Sequence, residues 1–363
     1  MEKDRIIVKV GSLAVTCEEG GVSLSKIENL IFDLFTLKEN QKEIILVSSG
    51  AIHAAKGLIP YNVDKKLKIS HQQALAAVGQ PLLMNAYQEV LKKYNWKLAQ
   101  ILVTHEDFKD RKRLLNIRNT INTLLKEGIL PIVNENDTVS YEEITVGDND
   151  QLAVMMVQAT EGNKLIILSE TEGLYNKNPK EKDAILIKNV AFNSDLKNIK
   201  FGAKTSAGRG GMSTKLQAIM KLTPQGVDVF LGSFLQKNPV SGILNNLQGT
   251  KFEGNPNRED SFFINWMRSL VKNHCYLVID EGAKNALMKG QNSLLPVGIK
   301  KVVGIFKRGD VLLINHKGKS VAMGLSEFSQ KEILILLEED SIEKNELLMH
   351  SKVVVHKNNL ALL

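Results

Sequence analysis

The sequence predicts an α/β fold, a three-layer αβα sandwich with a mostly parallel sheet, followed by a small β-rich, barrel-like domain. Two observations predict the sandwich: strand-like runs alternate with helix-like segments over the first two thirds of the chain, and several of those runs are continuously apolar. A third observation predicts the smaller domain, because short strands separated by Gly, Lys and Asn turns dominate the last ninety or so residues.

The first part of the chain reads as strands and amphipathic helices in turn. The predicted strands are Arg5–Val10, Ile44–Ser49, Leu98–Thr104, Ile129–Val133, Leu165–Leu168 and Val227–Leu231. A capping box from Ser25 to Glu28 predicts one helix start. Small residues at Gly50-Ala51 predict another helix, and a third spans Arg111–Glu127 with Gly128 as its stop. This alternation predicts parallel strands covered on both faces.

The last part of the chain is organised differently. Its predicted strands are Cys275–Ile279, Val302–Phe306, Val311–Ile314, Ser320–Leu325 and Lys352–His356, with a short helix at Ala283–Met288. Between the two parts the pattern loosens, with Asn, Gly and Pro clusters typical of a linker. We predict one domain over residues 1–250, a linker over 251–273 and a second domain over 274–363.

The composition counts against several classes of protein. With 43% hydrophobic and 24% charged residues, no long apolar run and no signal-like start, the 363-residue chain is expected to be globular and cytoplasmic. Cys17 and Cys275 are isolated, and the seven histidines show no ligand spacing, so neither a disulfide framework nor a protein-held metal is expected. Residues 275–363 carry 12 basic and 10 acidic residues, +2 of the net +7, so nucleic-acid binding is weakly supported.

One glycine-rich stretch, Gly208–Lys215, leads into an apolar helical pattern. A turn of this kind directs backbone N–H groups and the positive end of a helix dipole toward one place, which suits a phosphate. It is not a Walker A loop, because Thr214 rather than glycine precedes Lys215. Taken alone, the stretch fits a flexible structural turn equally well.

Polar residues follow five of the predicted strands or begin the loops after them. They are Lys9–Ser12, Ser48–Gly50, Asn134–Asp137, Gly147–Asp150 and Ser169-Glu170. Each has an ordinary reading as a turn, a cap or a solvated strand end. Ligands of parallel α/β sheets bind beyond the carboxyl ends of the strands, so the five groups together predict a ligand cleft at that edge.

At these motifs the chain resembles the glutamate 5-kinases of the amino acid kinase family. The matching motifs are Lys9-Val-Gly11, Val47–Ile52, Ala77–Gln80, Asn134–Asp137, Val146–Asp150, Gly173–Tyr175 and Gly210–Lys215. The tail resembles a PUA module at Asp280–Ala283, Ser293–Pro296, Gly298–Lys300 and Arg308-Gly309. One departure concerns Ser169-Glu170, where family members usually have Thr-Asp.

The resemblance implies an ATP-dependent phosphorylation of the γ-carboxylate of L-glutamate, the first step of proline biosynthesis. It further implies Mg²⁺ bound mainly through ATP, proline as an inhibitor at a site overlapping that of glutamate, and a homodimer or homotetramer. The segment Ile52–Lys68 would be a lid or a subunit contact.

The resemblance also assigns roles to residues. Lys9 and Lys215 would flank the γ-phosphate, and Asp148 would orient their ammonium groups. Glutamate would contact Ser49, Asn134, Asp137, Asn149 and Asp150. ATP would contact Lys9, Gly11, Ser169, Glu170, Arg209, Gly210, Gly211, Met212, Ser213, Thr214 and Lys215.

Two other interpretations stay open. Another amino acid kinase could act on N-acetylglutamate, aspartate or carbamate, although the two acidic, amide-rich loops and the PUA-like tail favour glutamate. The chain could instead bind RNA or regulate another protein through its tail. The nearly balanced charge of that tail counts against RNA.

Overall fold

The fold is known from a computed structural model. It describes residues 4–56, 58, 68–139, 149–179, 181–194, 212–257, 264, 267–268, 270–272, 274–290, 292–338, 347–348 and 351–363. The chain divides into two compact units, Met1–Phe108 with Lys112–Glu259, and Lys109–Arg111 with Asp260–Leu363. The predicted domain boundaries stay a prediction.

The first unit is built on an eight-stranded sheet. Its strands are β1 (Arg5–Val10), β2 (Glu43–Ser48), β3 (Leu98–Val103), β4 (Leu130–Glu135), β5 (Lys164–Ser169), β8 (Asn189–Val190), β9 (Asp228–Ser233) and β10 (Thr250–Phe252). The order is β3-β4-β2-β1-β5-β9-β10-β8, and every pair is parallel except β9 with β10. A separate hairpin pairs β6 (Leu174–Tyr175) with β7 (Leu186–Ile187). The predicted mostly parallel sheet is confirmed.

Helices accompany this sheet. They are α1 (Leu24–Glu39), α2 (Ala51–Ala54), α3 (Ile69–Lys92), α4 (Arg111–Lys126), α5 (Asn149–Thr160), α6 (Met212–Leu222) and α7 (Ser241–Leu244). Gly128 has φ +67°, as a residue that stops a helix often does. The capping box predicted from Ser25 to Glu28 is wrong: α1 is preceded by Ser23 as its N-cap residue, and no side chain caps it. Apolar packing of Ile27, Leu30 and Leu34 holds this helix instead.

The central strand β1 is buried along its whole length. Ile6, Val8 and Val10 join a core shared with α1 and α3, which explains why the sequence predicts a buried, mainly apolar strand. Two cations interrupt that run. Arg5 at the start is paired with Glu43 at 2.8 Å, and Lys9 near the end is 6% exposed. Burying a cation costs free energy unless an acidic group is paired with it. The burial of Lys9 therefore indicates a functional site at the carboxyl end of β1.

Helices α2 and α3 approach each other closely at Gly79. A Cβ atom added there would lie 1.8 Å from the carbonyl oxygen of Ala51, so only glycine permits this approach. Ala51 follows the turn at Ser49-Gly50, where Gly50 has φ +114°. The next residue of α3, Gln80, is therefore brought toward the end of β2.

The second unit contains a five-stranded sheet. Its strands are β11 (Tyr276–Ile279), β12 (Ile299–Val303), β13 (Val311–His316), β14 (Lys319–Leu325) and β15 (Leu360–Leu362), in the order β12-β11-β13-β14-β15. The helices α8 (Glu281–Met288) and α9 (Gln330–Leu337) belong to it. The strand predicted over Lys352–His356 is wrong: only an isolated bridge between Leu294 and Val355 forms there. Among the described residues, no helix has the length and apolar character needed to cross a bilayer.

We expect Gly79→Ala to destabilise the first unit by about 2 kcal/mol, because overpacking against a carbonyl outweighs the gain of about 1 kcal/mol in helix propensity. Urea denaturation followed by circular dichroism measures this. The neighbouring Val78→Ala, at a side chain 41% exposed, is the control and should change stability by less than about 0.5 kcal/mol. Equal stability of the two variants would contradict the close approach.

A second prediction concerns α9, where Ser329 and Glu332 form a capping box. Hydrogen bonding to Arg308, aided by Ser329, lowers the pKa of Glu332 from 4.5 to about 2. A lowered pKa stabilises the fold above pH 4.5, and this contribution is lost as pH falls toward 2. Glu332→Gln should therefore cost about 1 kcal/mol near neutral pH, and the difference should shrink across that acid range. Thermal unfolding at a series of pH values tests it, and a difference independent of pH would refute it.

Candidate active site

A buried carboxylate stands between two buried lysines at the carboxyl edge of the sheet. The Lys9 Nζ lies 2.6 Å from Asp150 Oδ1, and the Lys215 Nζ lies 3.3 Å from Asp150 Oδ2. The Thr214 hydroxyl donates to the same Oδ2 at 3.2 Å. One carboxylate therefore fixes the positions of two ammonium groups that come from distant parts of the chain.

Three elements bring these groups together. Lys9 lies on β1 between β2 and β5, Asp150 is the second residue of α5, and Lys215 lies in the first turn of α6. The N-terminus of α5 favours the negative charge of Asp150, which is 0% exposed. Buried ion pairs of this kind contribute little net stability, because desolvation offsets much of their attraction. Their burial at this edge of the sheet is therefore better explained by function.

A chain of side-chain amides runs beside this ion pair. The Asn149 Nδ2 donates to Ser49 Oγ at 2.7 Å and to Asn134 Oδ1 at 2.9 Å. The Asn134 Nδ2 in turn donates to Gln80 Oε1 at 2.9 Å. Three residues predicted to hold glutamate, Ser49, Asn134 and Asn149, thus form one hydrogen-bonded group.

Helix α3 supports this group at a second point. The Tyr87 hydroxyl is 2.8 Å from the Ser48 hydroxyl, and Tyr87 lies two turns along the helix from Gln80. Burial raises the pKa of Tyr87, so the phenol stays protonated and available for this bond. Gln80 and Tyr87 were not among the predicted site residues. Gln80 ends the motif Ala77–Gln80, which was the available signal for it.

The predicted nucleotide side is only partly described. Gly11 precedes a short turn over Ser12–Ala14, and a Cβ added at Gly11 would meet nothing within 4 Å, so a ligand could approach the backbone there. The Lys26 Nζ donates to the carbonyl oxygens of Leu13 and Thr16 at 2.8 and 2.9 Å. The sequence does not predict these two hydrogen bonds, because a lysine on an amphipathic helix is normally expected to be solvated.

Other predicted residues are less closely gathered. Asp137 is buried, the Ser169 hydroxyl is 3.0 Å from the Thr171 hydroxyl, and the side chain of Glu170 is exposed. Met212 opens α6, one turn before Lys215. Asp148, Arg209, Gly210, Gly211 and the side chain of Ser213 lie outside the described residues, so their predicted roles stay predictions.

A metal carried by a nucleotide is compatible with these donors. Among the described residues, no group of three His, Cys, Asp or Glu side chains is arranged to hold an ion. Both oxygens of Asp150 already face lysine ammonium groups. The described donor set is suited to binding anions, as the phosphates of a metal–nucleotide complex require.

Both parts of the chain are similar to known protein families. Residues 4–233 match the model of the amino acid kinase family, and residues 276–346 match that of the PUA domain. The glutamate 5-kinase of Caldanaerobacter subterraneus subsp. tengcongensis is 39% identical, covering 99% of this chain and 98% of that protein. That of Dictyoglomus thermophilum is 38% identical, covering 99% and 97%.

The chain also has a limited similarity to solved structures. The UMP kinase of Ureaplasma parvum is 14% identical, with 70% of this chain and 100% of that chain covered and a TM-score of 0.49. At that TM-score the likeness carries no weight. The family model covers more than half of the chain and the curated relatives nearly all of it, so the chain belongs to the amino acid kinase family and, within it, to the glutamate 5-kinases.

Proposed function

We propose that this chain transfers the γ-phosphoryl group of ATP to the γ-carboxylate of L-glutamate, giving L-glutamyl 5-phosphate and ADP. This is the first step of proline biosynthesis from glutamate. The observation that carries the proposal is the buried arrangement of Lys9, Asp150 and Lys215, set beside the amide chain. The names of the curated relatives favour glutamate over the substrates of other amino acid kinases.

The phosphoryl transfer does not require a strong general base. The attacking γ-carboxylate is ionised at neutral pH, since an ordinary glutamate side chain has a pKa of about 4.3. The barrier then comes from aligning two anions and from the charge that spreads over the transferred phosphoryl group. Lys9 and Lys215 supply two positive charges, each paired with a different oxygen of Asp150, and the carboxylate keeps them in place before the substrates arrive.

Asp150 takes on a second role in this proposal. From the resemblance it was expected to contact glutamate, whereas Asp148 was expected to orient the lysines. Because Asp150 bonds both ammonium groups, we propose it as the residue that positions them. The role of Asp148 stays a prediction.

Further parts of the proposal rest on the family alone. Mg²⁺, held mainly by ATP oxygens and water, would neutralise charge on the phosphates. Proline inhibition at a site overlapping that of glutamate, a homo-oligomeric state and a cytoplasmic location remain predictions. RNA binding by the second unit stays the less favoured alternative.

The activity can be tested by trapping the acyl phosphate as a hydroxamate with ATP, Mg²⁺ and L-glutamate. Lys215→Ala should lower kcat by about a thousandfold, because several kcal/mol of transition-state stabilisation are lost. The matched control is Lys221→Ala on the same helix, where an exposed lysine bonds Gln151 at 2.7 Å. Activity of Lys215→Ala within threefold of the parent would remove Lys215 from the mechanism. No hydroxamate from glutamate in the parent, but product from another amino acid, would overturn the substrate assignment.

The two aspartate assignments give different kinetics. If Asp150 positions the lysines, Asp150→Asn should lower kcat by about a hundredfold or more, because a neutral amide cannot hold two ammonium groups. If it only binds glutamate, the variant should raise the KM for glutamate and largely keep kcat. Steady-state kinetics with both substrates decides, and Asp148→Asn, measured in parallel, shows which carboxylate has the larger effect on kcat.

A further inference from the structure

The amide chain has a fixed direction, set by one backbone group. The N–H of Glu135 donates to Asn134 Oδ1 at 2.9 Å, and a backbone N–H can only donate. The carboxamide of Asn134 is thus fixed with its oxygen toward Glu135 and its nitrogen toward Gln80. Gln80 must meet that nitrogen with Oε1, as it does. The assignment of oxygen and nitrogen in these side chains follows from the hydrogen bonds themselves.

This direction leaves one unpaired group at each end of the chain. The Gln80 Nε2 and the Asn149 Oδ1 are buried and have no hydrogen-bond partner among the described residues. Gln80 is 7% exposed and Asn149 is 1% exposed. A buried polar group without a partner costs about 1–3 kcal/mol, so an unpaired donor and an unpaired acceptor on one network indicate a ligand that supplies both partners.

The two groups suit the two charges of an α-amino acid. A carboxamide N–H donates to a carboxylate, and a carboxamide oxygen accepts from an ammonium group. Asn149 precedes Asp150, which holds both lysines, whereas Gln80 lies beyond Asn134 at the other end of the network. The carboxylate that is phosphorylated must lie at the lysines, so the α-carboxylate belongs toward Gln80.

We propose that Gln80 is a substrate-binding and specificity-determining residue whose Nε2 donates to the α-carboxylate of the amino acid substrate. This inference rests on the proposed function and adds a residue that recognises the non-reacting end of the substrate. The close approach of α2 and α3 at Gly79 sets its position, since Gln80 is the next residue.

The test compares two ligands that differ only in the α-carboxylate. L-Glutamate has this group, and 4-aminobutyrate lacks it while keeping the amino group and the carboxylate that would be phosphorylated. The measurements are the KM for glutamate, the KM for ATP and the Ki of 4-aminobutyrate as a competitive inhibitor. They are made on the full chain and on Gln80→Met, which keeps the length of the side chain but removes both its donor and the oxygen that accepts from Asn134.

Gln80→Met should raise the KM for glutamate about tenfold or more, as expected for loss of a hydrogen bond to a charged group. The Ki of 4-aminobutyrate and the KM for ATP should stay within about twofold. Equal weakening of glutamate and 4-aminobutyrate, or no change in either, would overturn the proposal, because a purely structural role for Gln80 affects both ligands alike.

Two further variants keep the test decisive. Gln80→Glu retains an acceptor for Asn134 but places a carboxylate where the donor was, so it should weaken the binding of glutamate more than that of 4-aminobutyrate. If Gln80→Met fails to fold, equal weakening of both ligands by Gln80→Glu overturns the proposal. Gln72→Met is the control, because it removes the other buried glutamine of α3. It should leave the KM for glutamate and the Ki of 4-aminobutyrate within about twofold of the parent values. A parent that forms no hydroxamate from glutamate refutes the proposed function, whereas an active parent with unselective Gln80 variants refutes only this inference.

Discussion

The contact between one carboxylate and two lysines is the interaction on which the rest of the site depends. Asp150 is wholly buried and is bound by Lys9 from the central strand and Lys215 from α6. Three charges withdrawn from water would be a poor way to stabilise a fold, because hydrophobic side chains of the same size would serve as well or better. In the proposed mechanism, their value lies in having the positive charge fixed in place before phosphoryl transfer begins.

The sheet explains how such distant residues meet. Parallel strands end at the same edge, so Lys9 on β1, Asn134 on β4 and the start of α5 at Asn149 are gathered there. The apolar faces of β1 and its neighbours are buried under helices, which leaves this edge as the place where polar groups can converge.

Helix α3 positions further side chains at the same site. Gly79 allows it to lie against α2, and from there Gln80 and Tyr87 reach Asn134 and Ser48. In the proposed binding mode, the reacting end of the substrate and its recognised end are in this way held by different layers of the fold. Changes in α3 should accordingly alter substrate affinity before they alter the chemical step.

The sequence by itself determined the buried, mainly apolar strands, such as β1, and the helix stop at Gly128, because these follow from local burial pattern and backbone preference. It also placed Lys9, Ser49, Asn134 and Asn149 at strand ends or in the loops after them, and the family resemblance gathered them into one site. Local signals failed where packing overrides them: the expected cap at Ser25 does not form, since α1 is held by its buried face. Only the tertiary structure decided that Asp150 holds both lysines and that Gln80 ends the amide chain. Those facts depend on the relative positions of residues up to 141 apart in the chain, such as Lys9 and Asp150, which neither periodicity nor spacing records.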